Sequence, residues 1–223
     1  MQTSLMMRLI LKDIYMNRVL IIGSLVAVLM SLYVATLGTT GFNIGSVLFI
    51  TTIIVMGIFV AMFGVVRERE NRSWMFVLSL PVSTIQYFIA KLVAALVSFL
   101  LVWGVSLLAT VLVIFLADSI PNGLLPFFVL MMLFMFHNFA IFLAVALLTV
   151  SAVWVGATIV VTNTSTTLFI FYLAGLPSIQ ENMGGSVVVW SPAIFSIMFY
   201  ELTVVVAVLA LAMFLQSRRN DFV

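Results

Sequence analysis

The chain has 223 residues, of which 65% are hydrophobic and only 7% charged. Soluble domains carry roughly 25% charged residues, so there is too little charge here to cover a water-facing surface, and lipid must be the solvent for most of the chain. The net charge of +2 does not indicate a nucleic-acid partner, because the basic residues sit beside apolar spans and form no exposed stripe.

In chain order, residues 1–18 read as an amphipathic surface helix. Met7, Ile10, Leu11 and Ile14 fall on one side at helical spacing, and Ser4, Arg8, Lys12 and Tyr15 on the other. The alternative is a simple charged flank of the first span. That span runs from Val19 to Leu37, too long for the core of a cleaved signal and without a small-residue cleavage site. Gly38 to Asn43 reads as a turn and Ile44 to Val66 as the second span. A strongly polar segment follows, then an apolar stretch from Met75 to Leu80 that is too short to cross, and Pro81. Ser83 and Gln86 have the spacing of a capping box, which starts the helix that passes Lys91 and forms the third span to Ala117.

Asp118 to Gly123 is a turn by composition, and the fourth span runs from Leu124 to Leu147. A short uncharged link near Ser151 leads to the fifth, Val153 to Leu176. Residues 177–192 read as an outer hairpin that dips into the membrane without crossing it. Within it Ser178 and Glu181 have capping-box spacing, Gly184-Gly185 stops the helix, and Ser191-Pro192 offers a second start. The sixth span, entered near Ser196, ends near Gln216. The expected fold is therefore all-α, a single transmembrane domain of six spans over residues 1–223.

With six spans, all nine Lys and Arg residues fall on one face, which the positive-inside rule makes cytoplasmic, as are both termini. Five or seven spans would divide them.

Several kinds of chemistry are disfavoured. There is no cysteine, and His137 is the only histidine, so zinc chemistry lacks its usual ligands. The serines show no GxSxG elbow. No GxxxxGK[ST] loop is present, so the chain holds no ATP by that route and any energy comes from another subunit. His137-Asn138 is a polar pair facing the bundle interior or a proton relay. Secondary transporters bury several ionisable groups, whereas the spans here offer mainly Glu201, either a carboxylate reaching the interface or a contact at the exit of a translocation path. Thr162, Asn163, Thr164, Ser165, Thr166 and Thr167 are six consecutive polar residues in the fifth span. They cover every side of a helix, so some must pack against other helices or line a wet path.

Arg67-Glu68-Arg69-Glu70-Asn71-Arg72-Ser73-Trp74, then Leu78-Ser79-Leu80-Pro81-Val82-Ser83, then Lys91, resembles the signature of the ABC type-2 transporter permease family. Leu11 to Arg18 resembles that family's surface helix. Ser73-Trp74 departs from the Gly-Thr frequent in relatives, and the first outer loop is short where some members carry a domain. The resemblance implies two permeases, identical or homologous, each docking a separate ATP-binding-cassette subunit that carries the ATP and Mg, in the plasma membrane. Residues 67–82 would be the cytoplasmic coupling segment. Glu68, Arg69, Glu70 and Arg72 would set its register, and Trp74, Met75 and Phe76 would anchor it. The expected function is export of an amphipathic or hydrophobic substrate such as a peptide, an antibiotic or a lipid-like compound. The alternative is an energy-independent channel or scaffold.

Overall fold

The structure is a computed structural model and describes residues 2–66, 83–149 and 151–218. Among these residues every regular element is a helix, and six helices are long and apolar enough to cross a membrane. Helix α1 spans Gln2–Met16 and α2 spans Arg18–Ala35. Helix α3, Gly38–Ala61, runs on into a wider π turn over Met62–Val66. Helix α4 is Thr84–Leu116, and α5, Leu125–Thr149, follows a single 3-10 turn over Asn122–Leu124. Helix α6 is Ala152–Ala174, α7 the single turn Pro177–Gln180, and α8 Pro192–Ser217. The six long helices α2 to α6 and α8 match the expected spans.

Three helix starts differ from the sequence reading. The turn expected over Gly38 to Asn43 is compressed into Thr36 and Leu37, and α3 starts at once. Gly38 makes this possible by taking a φ of +86°, a conformation that only glycine adopts readily. At the other end, Ser178 does not cap a helix. Pro177, with its fixed φ and missing N–H, takes the first helical position, so Leu176 becomes the cap residue. Ser191 does cap α8, its Oγ accepting from the Ile194 N–H at 3.4 Å, and α8 thus begins at Pro192 rather than near Ser196.

Helix α5 is the hub. In its most apolar stretch 72% of the residues are buried, against 17% in α6 and in α8, and it packs against α3, α4, α6 and α8. Aromatic side chains fill these contacts. Phe99 of α4 stacks on Phe139 of α5 with ring centroids 3.9 Å apart, and Phe134 of α5 stacks on Phe169 of α6 at 4.0 Å. The indole N–H of Trp103 donates to the Met132 carbonyl at 2.7 Å, which satisfies the one polar atom of that side chain in an apolar setting.

Helices α2 and α3 form the closest pair. A Cβ placed on Gly45 would lie 2.5 Å from the Ser31 carbonyl oxygen and 2.6 Å from the Ala35 nitrogen, and one on Gly41 would lie 2.5 Å from the Val34 carbonyl oxygen. Gly41 and Gly45 thus form a GxxxG face against α2, Gly45 on Ser31 and Ala35 and Gly41 on Val34. In lipid, where no hydrophobic force drives helices together, such small faces let backbones meet. The sequence reading passed over this motif.

The capping box that opens α4 is formed in both directions. Ser83 Oγ accepts from the Gln86 N–H at 3.3 Å, and Gln86 Oε1 accepts from the Ser83 N–H at 3.0 Å. With 33 residues, α4 is about 50 Å long, well beyond the roughly 30 Å of a bilayer core. Helix α1 packs along its first turns. Ile10 lies against Ala90 and Ala94, whose small side chains leave a groove.

Candidate functional site

The polar run of α6 divides by geometry. Thr162 and Thr166, one helical turn apart, are buried against α5. There the Asn138 side-chain amide donates to Thr166 Oγ1 at 2.9 Å and to the Thr162 carbonyl at 3.3 Å. Asn163, Thr164 and Thr167 point the other way and are exposed, while Ser165 lies between the two groups. The hydroxyls return to their own helix. Thr162 donates to the Thr158 carbonyl at 3.0 Å, Thr164 to Val160 at 2.9 Å, Ser165 to Thr162 at 2.7 Å and Thr166 to Thr162 at 2.9 Å. Such back-bonding makes a hydroxyl cheap in a membrane helix. The Asn163 amide is different, since its side chain makes no hydrogen bond among the described residues. Amides without partners are costly in hydrocarbon, so this position calls for water or another chain.

Glu201 lies on α8, about 14 Å along the helix from Pro192. Rather than reaching the interface, its side chain is turned into the bundle. The residue is 2% exposed, and among the described residues neither carboxyl oxygen has a hydrogen-bond partner. His137, on the α5 helix that α8 packs along, has an Nδ1 in the same condition. Its ring meets the Phe134 ring edge-on, with centroids 5.4 Å apart. Asn138 faces the interior, toward α6, as described above.

A second polar constellation was not anticipated. Lys91 is more than a flanking charge. Its Nζ lies 2.7 Å from Oδ2 of Asp13 on α1, and the two side chains are only 7% and 11% exposed. Lys12 Nζ approaches the other carboxylate oxygen at 3.4 Å, and the Tyr87 ring lies 5.8 Å from the Lys91 nitrogen. Two turns further along α4, Ser98 Oγ accepts from the Asn17 amide at 3.4 Å. These contacts set the rotation of α1. Ile10, Asp13 and Asn17 face α4, whereas Met7 and Leu11 are exposed beside Arg8 and Lys12. The expected grouping of Met7 and Leu11 with Ile10 and Ile14 is thus split, because the Asp13 carboxylate must meet Lys91 and Ile10 fills the alanine groove. A signal was present in the sequence, namely an acid in an apolar helical row. It could not be paired without knowing which helix lay opposite.

The segment 67–82, with Glu68, Arg69, Glu70, Arg72, Trp74, Met75 and Phe76, lies outside the described residues. The described cations Arg8, Lys12, Arg18, Lys91 and Arg218 gather at one end of the bundle. They sit on α1, at or near the starts of α2 and α4, or at the end of α8. Asp118 and Glu181 lie at the other end, where the Gly123 N–H donates to the Gly185 carbonyl at 2.9 Å and the Asn122 amide to the Ser186 carbonyl at 3.2 Å.

No protein-family model, curated protein or solved structure matches the chain.

Proposed function

We propose that the chain is the membrane permease of an ATP-driven exporter, moving an amphipathic or hydrophobic substrate outward with energy from a separate ATP-binding-cassette subunit. The observation that carries this is the resemblance of the sequence from Arg67 to Ser83 to the permease signature, in the stretch of chain between two membrane helices, α3 and α4. The end where the described cations gather is the cytoplasmic one by the positive-inside rule, with both termini there and the plasma membrane as the host.

In this scheme α1 is the surface helix, residues 67–82 form the coupling segment seated on the ATPase, and residues 177–192 form an outer hairpin dipping into the membrane. Trp74, Met75 and Phe76 supply buried anchors, and Glu68, Arg69, Glu70 and Arg72 supply register. The second permease copy lies against the sparsely covered side of the bundle formed by α6 and α8. Asn163, Thr164 and Thr167 on that side supply polar groups along a substrate path, and Glu201, buried in the bundle here, joins it as an acidic contact near its outer half only when α8 shifts. Thr162, Ser165 and Thr166 support it from the α5 side. So little intramembrane charge suits an amphipathic substrate better than a small inorganic ion.

The test is affinity purification of the tagged protein from native membranes in mild detergent, beside a Trp74→Ala/Phe76→Ala variant. An ATPase that accompanies the wild type and is lost from the variant supports both the exporter and the coupling segment. Absence of any ATPase under several gentle conditions sinks the exporter in favour of a channel or scaffold.

A further inference from the structure

The outward face of α1 has a composition of its own. Asp13, the only acid in residues 2–18, is turned inward against Lys91. What remains outside is an apolar row one helical turn apart, Met7, Leu11 and Tyr15, all more than half exposed. Arg8 and Lys12 form the adjacent row. Arg18 continues this face, with its guanidinium carbon 3.9 Å from the centre of the Tyr15 ring. Among the described residues on and against α1, Arg8, Lys12, Arg18 and Lys91 set against Asp13 leave a net charge of +3.

An apolar row flanked by cations, on a helix joined to a membrane span by the single residue Asn17, fits the boundary between acyl chains and head groups. Water alone would leave the apolar row uncovered, and a neutral bilayer would offer Arg8 and Arg18 no counter-charge. We propose that α1 is a binding element for anionic phospholipid, with Arg8 and Arg18 on head-group phosphates, Lys12 shared between Asp13 and the lipid, and Met7, Leu11 and Tyr15 at the acyl boundary. Helix α4 holds the element in place, because burying Asp13 against Lys91 fixes which face of α1 meets the lipid and removes the one negative charge that would repel it. The proposal needs only a membrane and stands whether or not the chain is an exporter.

Because the chain has no cysteine, Leu11→Cys gives a single labelling site. The full-length protein carrying an environment-sensitive fluorophore there is placed in phosphatidylcholine nanodiscs containing a minor fraction of either brominated phosphatidylglycerol or brominated phosphatidylcholine. Brominated phosphatidylglycerol is expected to quench the label more strongly. Titrating it should show a preference of at least about tenfold, lost at high salt. Arg8→Gln/Lys12→Gln/Arg18→Gln should abolish the preference, while Arg218→Gln, at the same end of the bundle on α8, should leave it intact. Arg8→Lys/Arg18→Lys should retain it, which separates lost charge from lost folding. Equal quenching by the two lipids overturns the selectivity. No quenching by either overturns the lipid contact and leaves this face to water or a protein partner.

Discussion

The Nζ of Lys91 sits 2.7 Å from the carboxylate of Asp13, joining a helix that precedes the first membrane span to the beginning of the third. Breaking a buried pair from one side leaves an uncompensated charge, which is more damaging than removing both partners. Lys91→Met should therefore destabilise the protein by about 3 kcal/mol. That is the lower end of the range for such losses, because Lys12 remains beside Asp13. Asp13→Asn/Lys91→Met should recover most of it. Thermal unfolding in detergent, followed by loss of monodisperse protein, distinguishes the two. Equal damage in the single and double variants would show that the pair is not what holds α1.

The α2–α3 contact should be intolerant of any side chain on α3 at its centre. Gly45→Val places a branched side chain where even a Cβ meets backbone atoms at 2.5 and 2.6 Å, and should abolish recovery of folded protein. Gly104→Ala, with nothing within 4 Å of the new Cβ, should be neutral or stabilise α4 by up to about 1 kcal/mol. Expression and gel filtration of the two variants side by side give the answer.

Across the α5–α6 interface, Asn138→Leu removes two hydrogen bonds and leaves Thr166 to its own helix. Interhelical hydrogen bonds in membranes average about 0.6 kcal/mol and reach about 1.7. A loss of about 1 kcal/mol is therefore expected, with Thr166→Val similar and the double variant less than additive. Asn163→Leu, on the opposite face, should leave thermal stability unchanged. A fall in stability as large as that of Asn138→Leu would mean that the outward amide has a partner within this chain.

Glu201 should behave oppositely to a packing residue. An unpartnered buried carboxyl costs about 1–3 kcal/mol or more, so Glu201→Leu should raise the melting temperature. If Glu201 serves a substrate path, the same change should lower transport, a familiar exchange of stability for function. A variant that melts earlier than wild type would place a missing partner beside the carboxyl.

Topology can be read with single cysteines in the cysteine-free chain. Glu181→Cys should react with an impermeant maleimide on intact cells, whereas Ser217→Cys should react only after permeabilisation. The reverse pattern would invert the orientation that the basic residues indicate.

The six membrane helices were legible because length and hydropathy are local properties, and the Ser83–Gln86 box because its chemistry lies within one turn. The Gly38 turn was misjudged in extent, since a single positive φ reverses the chain where composition indicates a longer loop. In sequence Lys91 reads only as a topology signal, as lysines beside spans usually do. Its partner lies 78 positions earlier in the chain, and only the packing of α1 on α4 brings them together. The polar run of α6 shows the same limit. Its six residues are equivalent in sequence, and the position of Asn138 on α5 sorts them into buried and exposed.

Helix α4 has one more consequence. It contains no proline and only one glycine, Gly104, and runs unbroken from Thr84 to Leu116; Ser106 and Thr110, whose hydroxyls bond back to the Val102 and Ser106 carbonyls, mark where it would bend. A rod about 50 Å long that pivots near its middle by about 5° carries each end through about 2 Å. Any push delivered where residues 67–82 join it at Ser83 would reappear at Leu116 on the far side of the bundle with its direction reversed. On the way, α1 would be drawn along through Asp13 and α5 would be pressed through the stacked rings of Phe99 and Phe139. One unbroken helix would thus act as a see-saw, with α1 on its near arm.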